Sequence, residues 1–232
     1  LLSALKTAAG GDTILLANGN YGDVTLTNQF SSAVTIKAEH PQGATFTSVS
    51  LSKASNMAFD GLKLSTSFSA MFSSDISLTN SVTTQGTVYA REVDGFVVDK
   101  VSATGGKFGI IMNSVQNFSV TNSTFGKVTE DVMRITGNSY NGGVENNVLA
   151  DTLAVPPTHP DLLQLFASNG FTPHDITIRG NLLYDNPATG ITKAQGIFMS
   201  DPSTGGYKNI LISENLINVS SPNSIYINGG RK

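Results

Sequence analysis

Nine residues in the middle of this 232-residue chain carry the types and spacing that acid–base work on a charged substrate needs. Asp131 and Arg134 lie three apart in Asp131-Val-Met-Arg134-Ile135, and Asp161 and Gln164 stand at the same spacing in Asp161-Leu-Leu-Gln164-Leu165. If the two segments are adjacent parallel strands, Asp131 falls on Asp161 and Arg134 on Gln164, ~4.8 Å apart. His159, one of three histidines, precedes Asp161 by two residues, in a stretch with prolines at 156, 157 and 160. Proline fixes φ, so a stiff loop presents the imidazole. Lys107 and Glu130 come just before two of the strands, Lys193 precedes a third, and Tyr184 lies at the start of a second long connection.

Such a set suits proton abstraction next to a carboxylate. The C5 proton of a uronate is too weakly acidic until its carboxylate is neutralised, which Arg134, Gln164 or a protonated Asp can do by hydrogen bonding. His159 is the candidate base, since imidazole titrates near working pH, and Asp131 or Asp161 can orient it. Lys107, Glu130, Gln164, Tyr184 and Lys193 are the candidate substrate-binding residues. A second chemistry fits the same carboxylates: Asp131 and Asp161 flanking a glycosidic bond as a hydrolytic pair. Each group also has a plain structural use. His159 can cap a turn, the two Asp residues can accept backbone amides at corners, and Arg134 can simply pair with Asp131.

The elements that must hold these residues come from a repeat. An apolar–any–apolar phrase, the period-two signature of a strand, recurs with its second apolar residue at positions 36, 59, 78, 98, 120, 144, 178 and 212. The intervals are 23, 19, 20, 22, 24, 34 and 34. After each phrase come a polar residue, a second short apolar stretch and then a third, with no helical stretch between. Periods in the twenties mean supersecondary units that bury a core only by stacking. The expected architecture is therefore all-β: a single parallel β-helix domain over 1–232, of about eight to nine coils. Asn80, Asn122 and Asn146 stand where coils must bend, and Asn tolerates left-handed backbone. Leu1, Leu5 and Ala8 share one face of a short helix expected over 2–9, which caps the first coil. At the other end Ser224-Ile-Tyr-Ile-Asn-Gly-Gly-Arg-Lys follows a core strand directly, so further polypeptide or a partner chain is expected to cover the last coil. The two 34-residue intervals carry about ten extra residues each. Additions to a solenoid leave the stack as loops, so the segments 150–160 and 185–208 mark the expected functional face.

Composition narrows the classes. A net charge of −3 with 13% charged residues and no basic patch argues against nucleic acid. No apolar run approaches the ~18 residues of a membrane span. There is no cysteine, hence no disulfide framework and no Cys-based zinc site. Aspartates near 161, 185 and 201 are oxygen donors of the kind calcium takes, but without a nonapeptide calcium repeat no metal or other cofactor is assigned. Three Asn-x-Ser/Thr triplets carry little weight in a chain this rich in Asn and Ser.

The opening Gly10-Gly-Asp-Thr-Ile-Leu-Leu-Ala-Asn-Gly-Asn-Tyr21 resembles that of secreted right-handed β-helix proteins acting on polysaccharides, the superfamily of chondroitinase-B-like and alginate lyases, pectate lyases and mannuronan epimerases. His159-Pro-Asp-Leu-Leu-Gln164 resembles a His-Pro-Asp-x-[Ile/Leu]-Gln segment of many bacterial β-helix proteins. The resemblance implies a right-handed coil, a polysaccharide partner, a secreted, extracellular or virion-surface location, and lyase- or epimerase-like action on an acidic glycan. A non-catalytic glycan-binding or structural β-helix of a tail spike or surface adhesin is the alternative that it leaves open.

Overall fold

The computed structural model describes residues 1–155, 157–186, 193–200 and 205–230. All strand pairings between its named strands are parallel, each strand meeting its counterpart one coil on, in a 15-stranded and a 9-stranded sheet. A typical coil is one long bent strand, such as Val88–Asp99 or Ile110–Thr121, followed by a short one, such as Ser102–Thr104 or Thr124–Val128. The long strands turn at residues of positive φ, among them Glu92, Ser114 and Asn117. This is a parallel β-helix.

The repeat sets the core. Ile36, Phe59, Leu78, Val98, Val120, Val144, Ile178 and Ile212 stand in one unbroken register column, as the interval pattern requires. From Ile36 to Ile178 each is at most 1% exposed, while Ile212, in the last described coil, is only partly covered. In that coil Leu216, Ile225 and Ile227 are also exposed.

A second column binds the coils at the corner between the two sheets. The expected Asn residues supply left-handed backbone there: Asn80, Asn122 and Asn146 have φ of 49°, 50° and 57°. The stacked amides themselves come one residue later. Asn147 Nδ2 donates to Val120 O (2.8 Å) and Asn181 Oδ1 (3.0 Å), and Asn181 Nδ2 donates to Val144 O (2.8 Å) and Asn215 Oδ1 (2.9 Å). Earlier coils use serines, Ser81 and Ser123 accepting the amides of Leu62 and Val101.

The N-terminal helix is shorter than expected, Leu2–Leu5 rather than 2–9. The amides of Thr7 and Ala8 converge on the same Ala4 carbonyl, and the Asp12 carboxylate accepts the Ala9 amide, so the chain is already turning into the Thr13–Leu16 strand. Leu5 is nonetheless buried and Leu1 and Ala8 pack against the core, as the shared face predicts.

The 34-residue coils place their extra length at two corners. Residues 153–160 connect the Val148–Thr152 strand to Asp161–Phe166, and 185–194 connect Leu182–Tyr184 to Gln195–Ser200. A further connection, 167–173, follows Asp161–Phe166, where the preceding coil needs only 137–139. The sequence reading placed all the extra length of that coil before the strand. Its interval fixes only the sum, and both corners share it.

Two substitutions test this frame. Val120→Asp places an unpaired carboxyl in the interior column and should cost several kcal/mol. Asn181→Ala leaves the Val144 carbonyl and the Asn147 amide buried without their partner, at about 1–3 kcal/mol per group. Thermal denaturation should show both melting well below the parent, and a parent-like melting curve for Val120→Asp would refute the register.

Candidate functional site

The outer face of strands Met133–Thr136, Asp161–Phe166 and Gln195–Ser200 is entered and left by the long connections, and it carries the acid pair. Register there is as the sequence suggested: Arg134 pairs with Gln164, and Val132 N donates to Asp161 O at 2.9 Å, so Asp131 and Asp161 are neighbours in adjacent coils. The column continues through Gln195, which pairs with Asp161, to Asn223. A second outward column runs Ile111, Arg134, Gln164, Phe198, Tyr226.

Both acids are buried, Asp131 at 3% and Asp161 at 2% exposure. Asp131 is fully engaged: Oδ1 accepts the Asp161 amide at 2.8 Å and Oδ2 accepts Arg134 Nε at 2.5 Å. Arg134 is clamped as well, its guanidinium 4.3 Å from the Phe108 ring centre and 5.8 Å from that of Phe166. That clamp leaves the Nη nitrogens without a hydrogen-bond partner among the described residues, on a side chain still 26% exposed. Asp161 Oδ1 accepts Gln195 Nε2 at 2.9 Å, and Gln195 Oε1 accepts Asn223 Nδ2 at 2.6 Å.

Burial, and then the neighbouring Asp131 charge, push the Asp161 carboxyl up to about 7, against the weaker opposing pull of Gln195, Arg134 and Gln164. Two carboxylates in adjacent coils with one cation between them cannot both ionise cheaply. The site at neutral pH therefore combines a carboxyl that retains its proton much of the time with a fixed guanidinium.

The remaining expected residues fall at different distances from this floor. His159 is exposed beside the buried Pro160, whose carbonyl accepts the Gln195 amide at 3.0 Å. No described contact ties its ring to Arg134 or Gln164. Lys107 and Glu130 sit together at the entry corner, 3.9 Å apart, with the Lys107 ammonium 5.3 Å from the Phe108 ring. Lys193 is exposed two residues before Gln195. Tyr184 belongs to the 9-stranded sheet, paired with Ala150 and Asn218, and is not brought to the floor. The engagement of Asp131 also weighs against the hydrolytic pair, since neither of its oxygens is free to meet a substrate. No group of three or more His, Cys, Asp or Glu converges as a metal site among the described residues, and Asp201 lies outside them.

Residue type alone does not single out Phe108, Phe166 or Phe198, and it makes Tyr226 a packing residue sooner than a sugar platform. Phe108 and Phe166 set the Arg134 plane, while Phe198 and Tyr226 stack at 4.9 Å and 11° beyond Gln164. Extending the Arg134–Gln164 register by two further coils would have found the last two.

The raised Asp161 carboxyl has a consequence for stability. A native value above the unfolded one means that its stabilising contribution is complete below the unfolded value of ~4 and is lost as pH rises through about 7. Asp161→Asn keeps the shape without the titration. The difference in melting temperature, variant minus parent, should grow from pH 5 to pH 8, worth on the order of a few kcal/mol. A difference independent of pH would show that Asp161 ionises normally.

A scan against protein-family models finds no match, and a sequence search of curated proteins finds none. Solved structures do share the architecture. The chain is similar to the Family 28 exopolygalacturonase of Yersinia enterocolitica (TM-score 0.63, 11% identity, covering 92% of this chain and 54% of that one). It is similar also to the surface adhesin PfbA of Streptococcus pneumoniae (0.61, 12%, 93% and 74%) and to an alginate lyase from Paenibacillus (0.53, 14%, 90% and 95%). The chain thus spans about half the length of the exopolygalacturonase. At these identities the likeness is one of fold, and it agrees with the pairing pattern: the chain folds as a parallel β-helix.

Proposed function

We propose that this protein engages an acidic, uronate-containing polysaccharide on the floor formed by Met133–Thr136, Asp161–Phe166 and Gln195–Ser200, and acts on it as a lyase or epimerase. The observation that carries the reading is the pairing of a clamped Arg134, its Nη nitrogens unpartnered among the described residues, with an Asp161 carboxyl pushed up to about 7. Arg134 offers its guanidinium to the substrate carboxylate, and a protonated Asp161 buried behind it removes a negative charge that would compete for that cation, which favours loss of the C5 proton.

In this reading Arg134 binds the uronate carboxylate and holds the charge that develops on it, and Asp161, buried behind it, acts by its proton and not by contact with the substrate. Asp131 is a positioning residue that orients Arg134 and raises Asp161. Gln164 and Gln195 add polar contacts on the floor, and Lys107, Glu130 and Lys193 border its entry side. His159 takes the C5 proton from the rim. In elimination the electron pair forms the C4–C5 double bond and the C4–O bond breaks, the departing oxygen taking up a proton. In epimerisation a proton returns to C5 from the opposite face. The neighbours in fold include an alginate lyase and an exopolygalacturonase by name, which supports a glycan of this class.

A second reading is glycan binding without turnover, at the surface of a cell or virion. It is favoured by the exposed position of His159 and by the stacked Phe198–Tyr226 pair, which offers a sugar a flat surface whether or not chemistry follows.

Incubation with polygalacturonate, alginate, chondroitin sulfate and hyaluronan separates them, reading absorbance from unsaturated ends and C5 configuration by NMR. The lyase or epimerase reading expects product from one polymer and a 10²–10⁴-fold drop in kcat for His159→Ala with the fold intact. Arg134→Ala should lower kcat and raise KM together. Binding without product in the parent leaves the second reading, and neither binding nor product from any polymer removes both.

A further inference from the structure

A groove of about 750 Å³ lies outside the floor, along the bend of the regular coils. One wall is a register column of outward side chains, Gln29, Ser55, Ser74, Asp94 and Gln116. The other follows the bend itself, through Lys53, Phe72, Glu92 and Ser114, and the 167–173 connection reaches across the far end with Phe171. The lining spans seven successive coils, roughly 30 Å at ~4.8 Å per coil.

Phe72 is the anomaly in this wall. The bend column is left-handed throughout, with φ of 54° at Lys53, 52° at Phe72, 51° at Glu92 and 56° at Ser114. For a bulky aromatic residue that conformation is a true outlier and costs free energy. Phe72 is also 46% exposed, so its ring gains little from burial, and Arg91 of the next coil braces it at 5.5 Å from the ring centre. A polar residue at this place would relieve both costs, and the neighbouring coils have one. Phe171, four coils on, is a second phenylalanine lining the same groove, 54% exposed.

We propose that this groove is a second carbohydrate site, which holds an extended neutral glycan chain lengthwise along the coils. Three features select that ligand. Exposed ring faces at both halves of a groove otherwise lined by amides, hydroxyls and a few charged groups match sugars, with their apolar C–H faces and hydroxyl edges. The charged lining residues are Lys53, Glu92 and Asp94, and Glu92 is ion-paired with Arg91 at 3.4 Å, so the wall offers a polyuronate chain no surplus of cations. The strands beneath are already paired on both sides, so no edge is open for a peptide to join as an added strand. The site does not depend on the floor: it belongs to the regular coils and takes uncharged chains.

The test uses cellohexaose, xylohexaose and mannohexaose as neutral probes and hexagalacturonate as the acidic one, with isothermal titration calorimetry on the whole chain. Binding of at least one neutral probe is expected, weakened tenfold or more by Phe72→Asn and by Phe171→Ala. Asparagine accepts left-handed backbone, so Phe72→Asn should melt at or above the parent temperature, as expected of a residue kept for a ligand. Uronate-polymer binding at the floor should be unchanged in the same variant. Absence of binding by all three neutral probes at millimolar concentration would overturn the proposal. So would neutral-probe binding indifferent to Phe72→Asn, a clear fall in that variant's melting temperature, or hexagalacturonate binding that Phe72→Asn abolishes. A floor that fails to bind uronates leaves this site untouched, so the two readings fail separately.

Discussion

The whole molecule depends on one constraint: each strand hydrogen-bonds, in phase, to its counterpart one coil on. Interior columns follow from it, and so does the chemistry outside. Val132 N to Asp161 O at 2.9 Å fixes the backbone of the two acids, and Asp131 is tied to the Asp161 amide as well. Neither carboxyl can swing away to reduce repulsion without losing a buried hydrogen bond. The proton that Asp161 keeps is the way the pair relaxes, so the ladder adds to a rise that burial chiefly causes. Arg134 is caught by the same rule, since Phe108 and Phe166 reach it from the coils before and after.

The repeat is what made much of this readable. Interior positions 36 to 212 share a column because in-phase stacking converts a sequence interval into a spatial one, and Asp131–Asp161 with Arg134–Gln164 follow by the same conversion. Legibility ended where the interval carries two unknowns. Thirty-four residues between 144 and 178 state how much chain is added but not at which corner, and the 167–173 connection was missed for that reason. The helix over 2–9 was overextended because a shared apolar face persists into the turn that ends it, where Ala8 still touches the core. Tyr184 failed differently. Its residue type beside a long loop suggests a sugar contact, while the register places it in the other sheet. Of the connection that follows it, 187–192 lie outside the described residues, as do 201–204.

Residue type is a poor guide on a solenoid's exterior, and position in a column is a better one. Serine, asparagine and threonine dominate the outer columns, so an aromatic or charged side chain among them stands against a uniform background. Phe108, Phe166, Phe198 and Tyr226 fall within five successive coils, on or beside the strands that carry Arg134 and Asp161. In a chain with 13% charged residues, burying two carboxyls beside one guanidinium is a local cost with no benefit to the stack, which Met133, Leu163 and Ile197 already hold.

That cost can persist because of how a solenoid distributes stability. Each coil contacts chiefly its two neighbours, so the total approximates a sum over interfaces, and an unfavourable feature weakens only the coils that carry it. Asp161 lies on the first long coil and Asp131 on the regular coil before it, while the left-handed Phe72 lies on a short coil nearer the N-terminus. Between them lie core layers held by Phe96 and Phe118. Two exterior sites can then take different ligands on one frame. Adding residues at a corner rebuilds one face without shifting the register of the other, because the ladder counts coils and not residues.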